Sequence, residues 1–299
     1  MTQTIALTGA TGFVGRHLLS RLLYDGYKVK ALVRQPEALK SSDHPNLALI
    51  EGDLDSDLAD WANGADSIIH LAGLVKAKTW RDYETVNIVG AKNVAIAALK
   101  ASVPHLILMS SMAARAPELS AYAKSKYLGE MAVQETYSGN LSIIRAPAVF
   151  GPGDQATKPV FDFMAKGLLP SAGGRGWRNR SVAMVYVHDL IEDLATRGLN
   201  GEYKGQTVSP ATIGSMTMPA FSEFASEALN RPVRAFPIPL VFLYPLALVT
   251  TITLRLFGIG HLSLGKLGEF LYEHWQSNDS VANPTPIARA IGETIDSYQ

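Results

Sequence analysis

The stretch SAYAKSKY, residues 120–127, holds residue types whose spacing suits proton transfer. Tyr122 and Lys126 lie four apart, so on a helix they share one face. Lys124 points elsewhere, and Tyr127 lies about a hundred degrees round from Lys126. A tyrosine hydroxyl titrates near ~10 and is a poor base at neutral pH, but a lysine ammonium one turn away favours the phenolate. Lowering the phenol by about three units takes roughly 4 kcal/mol of differential stabilisation, which close cations in a dry site can supply. A group poised in this way moves a proton on an oxygen while the attached carbon gains or loses a hydride. The apolar run HLILMSS, 105–111, ends in two hydroxyls that could hold that oxygen. Alternation does not choose between Ser110 and Ser111, because neighbours on a strand face opposite sides.

Such groups need a rigid frame, and the first half of the chain alternates short β-rich runs with apolar-periodic stretches. Strands are expected at 4–8, 28–33, 47–52, 67–72, 105–111 and 141–146, and helices over 13–24, 82–101 and 122–137. Near-continuous apolar strands between helices predict an α/β fold: a doubly wound parallel sheet with ligands at the carboxyl ends of its strands. TGATGFVG places Gly9, Gly12 and Gly15 directly after the first strand and at the mouth of the first helix. Glycines there permit a tight turn and let backbone N–H groups approach a pyrophosphate, so a dinucleotide is the expected ligand. The second strand ends at Arg34 with no acidic neighbour, which favours the 2′-phosphate of NADP over NAD. Asp53 either accepts from the adenine amino group or caps the turn that follows it. Leu71, Ala72 and Gly73 end the fourth strand with room for a cofactor to pass.

TGATGFVG, GDL, HLAG, VNIVGAKNV, MSSMAA, YAKSK and RAPAVFGPGD occur in that order. In this the chain resembles, over residues 1 to about 190, the extended short-chain dehydrogenases/reductases. The likeness is to the NAD(P)-dependent epimerase/dehydratase group, which includes dihydroflavonol reductases and 3β-hydroxysteroid dehydrogenases. The resemblance implies a Rossmann-type sheet and a catalytic set of Ser111, Tyr122 and Lys126 with Asn87 as helper. It also implies that Lys126 holds the nicotinamide ribose, and that Thr11, Phe13, Val14, Leu54 and Pro147 lie along the cofactor path. Sugar-nucleotide members commonly carry Asn and Tyr where this chain has Ala148 and Phe150, which weakens a nucleotide-sugar substrate. SSMAA lacks the Asp-Glu pair of the sugar dehydratases.

After residue 150 the rhythm breaks at GPGD and at PSAGGRGWRNR, 170–180. The expected domains are a cofactor-binding part, 1–150 with 182–210 returning to it, and a smaller, mostly helical C-terminal substrate lobe from 151–181 and 211–299. Arg175 and Arg178 could meet a diphosphate or simply be solvated, while His188 and Asp189 read as a junction and helix cap. The segment AFPIPLVFLYPLALVTTITL, 235–254, carries no charge over twenty positions. A buried or partly buried helix of the second lobe is the first expectation, with Pro237, Pro239 and Pro245 disrupting its first half. A patch for a lipid or a membrane surface comes second and a true span third.

The 299 residues carry 27 acidic and 27 basic side chains and no cysteine. That balance gives no electrostatic argument for nucleic acid or an anionic membrane as partner. No disulfide, thiolate ligand or metal site is expected. The N-terminus runs straight into a strand, so the expected setting is cytoplasmic, with membrane association through 235–262 as the reservation. The leading expectation is an NADP- or NAD-dependent oxidoreductase interconverting a secondary alcohol and a ketone on an apolar, small-molecule substrate. A nucleotide-sugar epimerase and a non-catalytic dinucleotide-binding subunit are the alternatives, and a homodimer is a family expectation.

Overall fold

The computed structural model describes residues 2–39, 43–174, 176–258 and 262–299, so the expected site residue Arg175 lies outside the described residues. The chain divides into two compact units, Met1–Arg145 with Ile191–Val208, and Ala146–Leu190 with Ser209–Gln299. Strands and helices are numbered along the chain.

In the first unit the strands are β1 (Thr4–Thr8), β2 (Lys28–Val33), β3 (Leu47–Glu51), β4 (Ser67–His70), β5 (His105–Ser111), β6 (Asn140–Ala146) and β10 (Thr207–Val208). They form one sheet in the order β10-β6-β5-β4-β1-β2-β3. β1 pairs in parallel with both β2 and β4. The strand order therefore reverses at β1, and a crevice opens outside the carboxyl ends of β1 and β4. Ile5, Ala6 and Leu7 are fully buried, as a central strand covered on both faces requires. The helices are α1 (Phe13–Tyr24), α2 (Ala59–Ala62), α3 (Trp80–Tyr83), α4 (Ala91–Lys100) and α5 (Ala121–Thr136). Ala95 and Ala98 of α4 pack in one cluster with Trp61, Ile68 and Leu106, small residues letting the helix sit close to the sheet.

The helix expected over 82–101 is not uniform. Between α3 and α4 the backbone is π-helical over Glu84–Gly90. Such bulges insert an extra residue into a turn and rotate the side chains after it.

The second unit contains β7 (Ala148–Phe150), α6 (Lys158–Met164), β8 (Leu168–Ala172), β9 (Ser181–Tyr186), α7 (Val187–Asp193, crossing the boundary), β11 (Ile213–Thr217) and α8 (Met218–Leu229). Then follow β12 (Arg234–Ile238), α9 (Leu240–Phe257), α10 (Leu264–Leu271), β13 (His274–Trp275) and α11 (Ile287–Asp296). The region after 211, expected to be helical, thus also holds β11, β12 and β13. β12 pairs only with β8, so both are edge strands that tolerate Pro237 and Pro170. Phe150, Phe161 and Tyr186 form an aromatic core, with Phe150 stacked on Phe161 at 5.7 Å between centroids. Asp189 accepts from the Thr212 hydroxyl at 2.6 Å, the Thr285 hydroxyl at 2.5 Å and the Thr285 N–H at 3.1 Å. It ties separate segments of this unit together.

Of the first expectation at 235–254, a buried or partly buried helix, the structure shows the partly buried form. α9 begins after Pro239, continues through Pro245 and ends at Gly258, whose φ of 78° lies where glycine is favoured. Only Leu243 and Ala247 of its residues are buried. Val241 is 71% exposed and Phe257 67% exposed. It is also the one helix among the described residues long and apolar enough to cross a membrane.

Candidate active site

The glycine turn is built by close approach. Gly9 has φ +75°, and a Cβ there would meet the Ala72 nitrogen at 2.7 Å. A Cβ on Gly15 would collide with the Gly9 carbonyl oxygen, so the third glycine lets α1 start directly over the turn. Gly12 caps α1 with no side-chain bond, and the first turn holds no acid. The N–H groups of Phe13, Val14 and Gly15 at this positive helix end suit a pyrophosphate, and Thr11 sits in the same turn. The residues present fit a dinucleotide at this point.

Farther along the path, Arg34 at the end of β2 and Asp53 after β3 are both exposed. The Asp55 N–H and then the Ser56 hydroxyl hold the Asp53 carboxyl below the usual range, and the Arg34 guanidinium adds to this. The Asp55 N–H donates to Asp53 Oδ1 at 2.9 Å, and the Ser56 hydroxyl donates to the same atom at 3.1 Å. One carboxylate oxygen therefore shapes the turn, as the capping alternative expected, and a ligand amine would have to use the other. Leu54, next in line, packs against Gly90, and its carbonyl accepts from Asn93 at 2.9 Å.

The catalytic candidates gather at the carboxyl ends of β4 and β5. Ser120 caps α5 by accepting the Ala123 N–H at 2.9 Å, which starts the helix at Ala121, one residue before Tyr122. The Tyr122 ring lies 6.4 Å from that of Tyr83, whose hydroxyl donates to the Val75 carbonyl at 3.1 Å. One turn on, Lys126 Nζ donates to the Met109 carbonyl of β5 at 2.9 Å. Burial pushes the Lys126 ammonium down to about 8, with Glu130 partly offsetting it. Gly73 passes close by, and a Cβ there would lie 3.3 Å from Asn87 Oδ1 and 3.7 Å from Lys126 Nζ. Leu71, Ala72 and Gly73 thus run as a thin strip of backbone between β4 and the polar groups.

The two serines separate clearly. Ser110 is buried and its hydroxyl donates to Glu130, which also takes a two-pronged ion pair from Arg145 at 2.7–3.2 Å. Ser111 is half-buried and accepts the Ala113 N–H at 3.2 Å, leaving its proton to donate. Asn87 sits in the π-helical segment. Its Oδ1 accepts the Leu74 N–H at 2.7 Å, and its Nδ2 donates to the Leu74 carbonyl and to Ser125 Oγ, both at 2.9 Å. Both amide protons are engaged, so Asn87 positions the Leu74 loop and α5. An open cleft of about 380 Å³ lies beside that loop, lined by Leu74, Lys76, Arg81, Asp82 and Thr85 among others.

Sequence reasoning missed Glu130, Arg145, Thr8 and His70. His70 is buried, with Nδ1 2.7 Å from Thr8 Oγ1, and Thr8 Oγ1 accepts the Ala72 N–H at 3.2 Å. Burial, and then the Lys126 charge, hold the imidazole down at about 3, so it is neutral at ordinary pH. A histidine ending an apolar strand next to two small residues was the only available signal.

The expected cofactor residue Pro147 and the substrate-side residues belong to the second unit. Pro147 is buried, and Ala148 is exposed in β7 opposite Met184 of β9. Phe150, a candidate substrate residue by its motif position, is fully buried in the aromatic core, so its ring fills space there. Arg178 is exposed with its guanidinium 4.7 Å over the Trp177 ring.

A family model for NAD(P)H-binding domains matches residues 9–145. A ceramide reductase of Caulobacter vibrioides is 41% identical over 193 residues, covering 64% of this chain and 59% of that protein. A 3β-hydroxysteroid dehydrogenase/Δ5→4-isomerase of Mycobacterium tuberculosis is 29% identical over 219 residues, 62% of this chain and 58% of that protein. The chain thus spans less than two thirds of the length of these relatives. The structure of a UDP-glucuronic acid 4-epimerase from Bacillus cereus with NAD has a TM-score of 0.72. It is 16% identical and covers 99% of this chain and 98% of that one, a likeness of fold. The glycine turn at the strand-order reversal and these matches agree on an NAD(P)H-binding domain over residues 9–145 and on similarity to NAD(P)-dependent reductases and dehydrogenases of the extended short-chain type.

Proposed function

We propose that this protein is an oxidoreductase that interconverts a secondary alcohol and a ketone on an apolar, lipid-like substrate, with NADP preferred to NAD. The observation that carries the reading is the half-buried Lys126, its ammonium fixed to the Met109 carbonyl one helical turn from Tyr122. When bound, the nicotinamide supplies or accepts the hydride. In the reductive direction the Tyr122 hydroxyl gives its proton to the substrate oxygen, and in the oxidative direction it takes that proton back. Lys126, still protonated at pH 7 with its ammonium near 8, favours the phenolate formed on reduction. Ser111 donates to the substrate oxygen as charge builds there. Asn87 holds Leu74 and Ser125, and so keeps the loop and α5 in register.

The substrate class is supported by the exposed Ala148, which offers no polar side chain, and by relatives named for ceramide and steroid substrates. The preference for NADP rests on Arg34, exposed at the end of β2. The setting proposed is the cytoplasmic side of a membrane, met peripherally through 235–262.

The test is NADPH absorbance with long-chain ketones of the oxidised-ceramide and steroid classes, dispersed in detergent micelles. Turnover that disappears in Tyr122→Phe supports the reading. Conversion of a UDP-sugar to its 4-epimer without net change in cofactor would overturn it in favour of epimerisation. Dinucleotide binding with no turnover, and an unchanged cellular role in Tyr122→Phe, would point to a non-catalytic subunit.

A further inference from the structure

We propose that α9 lies flat on an anionic bilayer, with its outer arc in the acyl boundary and basic residues around it meeting the lipid phosphates. The inference rests on the peripheral-membrane reading and deepens it by naming the lipid charge, the orientation and the face. At a hundred degrees per residue, Val241, Phe242, Leu248, Val249, Ile252 and Leu256 fall within about 120° of the helix circumference, and Tyr244 and Arg255 widen the arc to about 160°. All six are at least 49% exposed. Apart from Tyr244 and Arg255, no side chain on that arc can hydrogen-bond. α10 adds Phe270, 51% exposed.

The threonine hydroxyls of the helix are already satisfied without water. Thr250 donates to the Leu246 carbonyl at 2.9 Å, Thr251 to the Ala247 carbonyl at 2.6 Å and Thr253 to the Thr250 carbonyl at 3.1 Å. Hydroxyls bonded back into their own helix remove the penalty of taking threonine out of water. A contact with a second copy of the chain would ordinarily bring a polar rim and about one hydrogen bond per 100–200 Å². The outer arc offers almost none.

The orientation follows from what holds the inner face. Leu243 and Ala247 pack with Leu267 of α10, with Ala172, Ile238 and Leu271 around them. The Leu264 N–H donates to Thr251 Oγ1 at 2.9 Å. A spanning helix would have to leave these contacts, whereas an in-plane helix keeps them all. The charge follows from the sequence. Between Glu227 and Glu269 there is no acidic residue, while Arg231, Arg234, Arg255 and Lys266 all fall in that interval. Lys266 is paired with Glu269 at 2.9 Å, and Arg255 stands in the last turn of α9. The overall balance of acids and bases, which gave no argument for an anionic membrane, conceals this local excess. Basic residues beside an apolar arc are the recognised features of an interfacial helix on anionic lipid.

The experiment is flotation of the full chain with vesicles of phosphatidylcholine alone, or of phosphatidylcholine with phosphatidylglycerol. Binding should be about tenfold or more stronger on the anionic vesicles and should weaken with salt. Val249→Asp with Leu256→Asp should abolish it while NADPH binding is retained. Arg234→Glu with Arg255→Glu should abolish the preference for anionic lipid. An alkaline carbonate wash should release the protein. Equal binding to neutral vesicles, resistance to carbonate, or self-association through α9 with no vesicle binding would each overturn the proposal. Vesicle binding without turnover of any lipid ketone would sink the substrate reading alone. Turnover of a dispersed lipid ketone without vesicle binding would sink this inference alone.

Discussion

α5 and α9 are of similar length, yet they treat water in opposite ways. α5 buries Ser125 and Glu130 and sinks the Lys126 ammonium into the protein, while its apolar Tyr127 is left partly outside. α9 buries two residues and turns most of its apolar side chains outward. Each arrangement is unfavourable for a helix that only has to fold. A buried ammonium loses hydration, and an exposed row of leucines and valines gains nothing from water. The comparison teaches that the two departures mark two different partners. In the function proposed above the partner of α5 is a reacting oxygen, and in the membrane proposal that of α9 is a medium less polar than water.

The largest expected effect is on the α5 side. Tyr122→Phe should lower turnover by about 10²–10⁴-fold with dinucleotide binding retained, as read by NADPH absorbance and a fluorescence titration. Lys126→Met should lose activity on the same scale and yet stabilise the fold by up to about 3 kcal/mol at pH 7. The sign follows from burial. Below about 8 the lysine is charged in both folded and unfolded chains, so the folded state carries the full penalty. Between about 8 and the ordinary lysine value of 10.5 the folded state releases its proton first, and wild-type stability rises. The advantage of the variant should therefore shrink between pH 8 and 10 in denaturant melts, and an advantage independent of pH would show that burial is not the cause.

On the α9 side, inner and outer positions should differ. Leu243→Ala should cost about 2–5 kcal/mol in a urea melt, whereas Leu248→Ser on the outer arc should stay within about 0.5 kcal/mol. Equal losses would mean that the outer arc is packed in solution, and the comparison would fail.

A smaller effect concerns His70 behind Lys126. Its folded value of about 3 lies below the ordinary histidine value of 6.5, so the unfolded chain takes up a proton first on acidification. Stability should fall as pH drops through this window, by about 2 kcal/mol between pH 7 and 5. His70→Gln should flatten that slope. The smallest effect is at the exposed charge of β2, where Arg34→Ala should raise the KM for NADPH about tenfold and leave NADH nearly unchanged.

Much of the cofactor half was legible because its signals are local. β1, β2 and β5 begin and end where their apolar runs do, and α1 covers Phe13–Tyr24 as its periodicity predicts. The π-helical turn around Asn87 was not legible, since one extra residue hardly disturbs an apolar period seven residues long. Nor was the Ser110–Glu130–Arg145 network, whose members come from β5, α5 and β6 and meet only once the sheet has formed. How little of 235–254 is covered was not legible for a related reason. Hydropathy says that a segment avoids water, but which surface covers it depends on the elements that arrive beside it, and only the Leu243–Ala247 side receives any. Phe150 was misplaced because a motif position names a neighbour in the chain, whereas Phe161 and Tyr186 reach the ring from other elements.

Gly129 gives the catalytic layer a mechanical property. A Cβ at this position would run into the Asn87 carbonyl, so α5 and the π-helical segment touch backbone to backbone. No flexible side chain lies at that point to absorb a displacement. Any outward shift of α5 there is transmitted to Asn87, and through its amide to Leu74 and Ser125 on either side. The proton-handling helix and the loop beside the cleft therefore move as one stiff lever. A single methyl group, three residues from Lys126 and without any chemistry of its own, would be enough to throw it out of line.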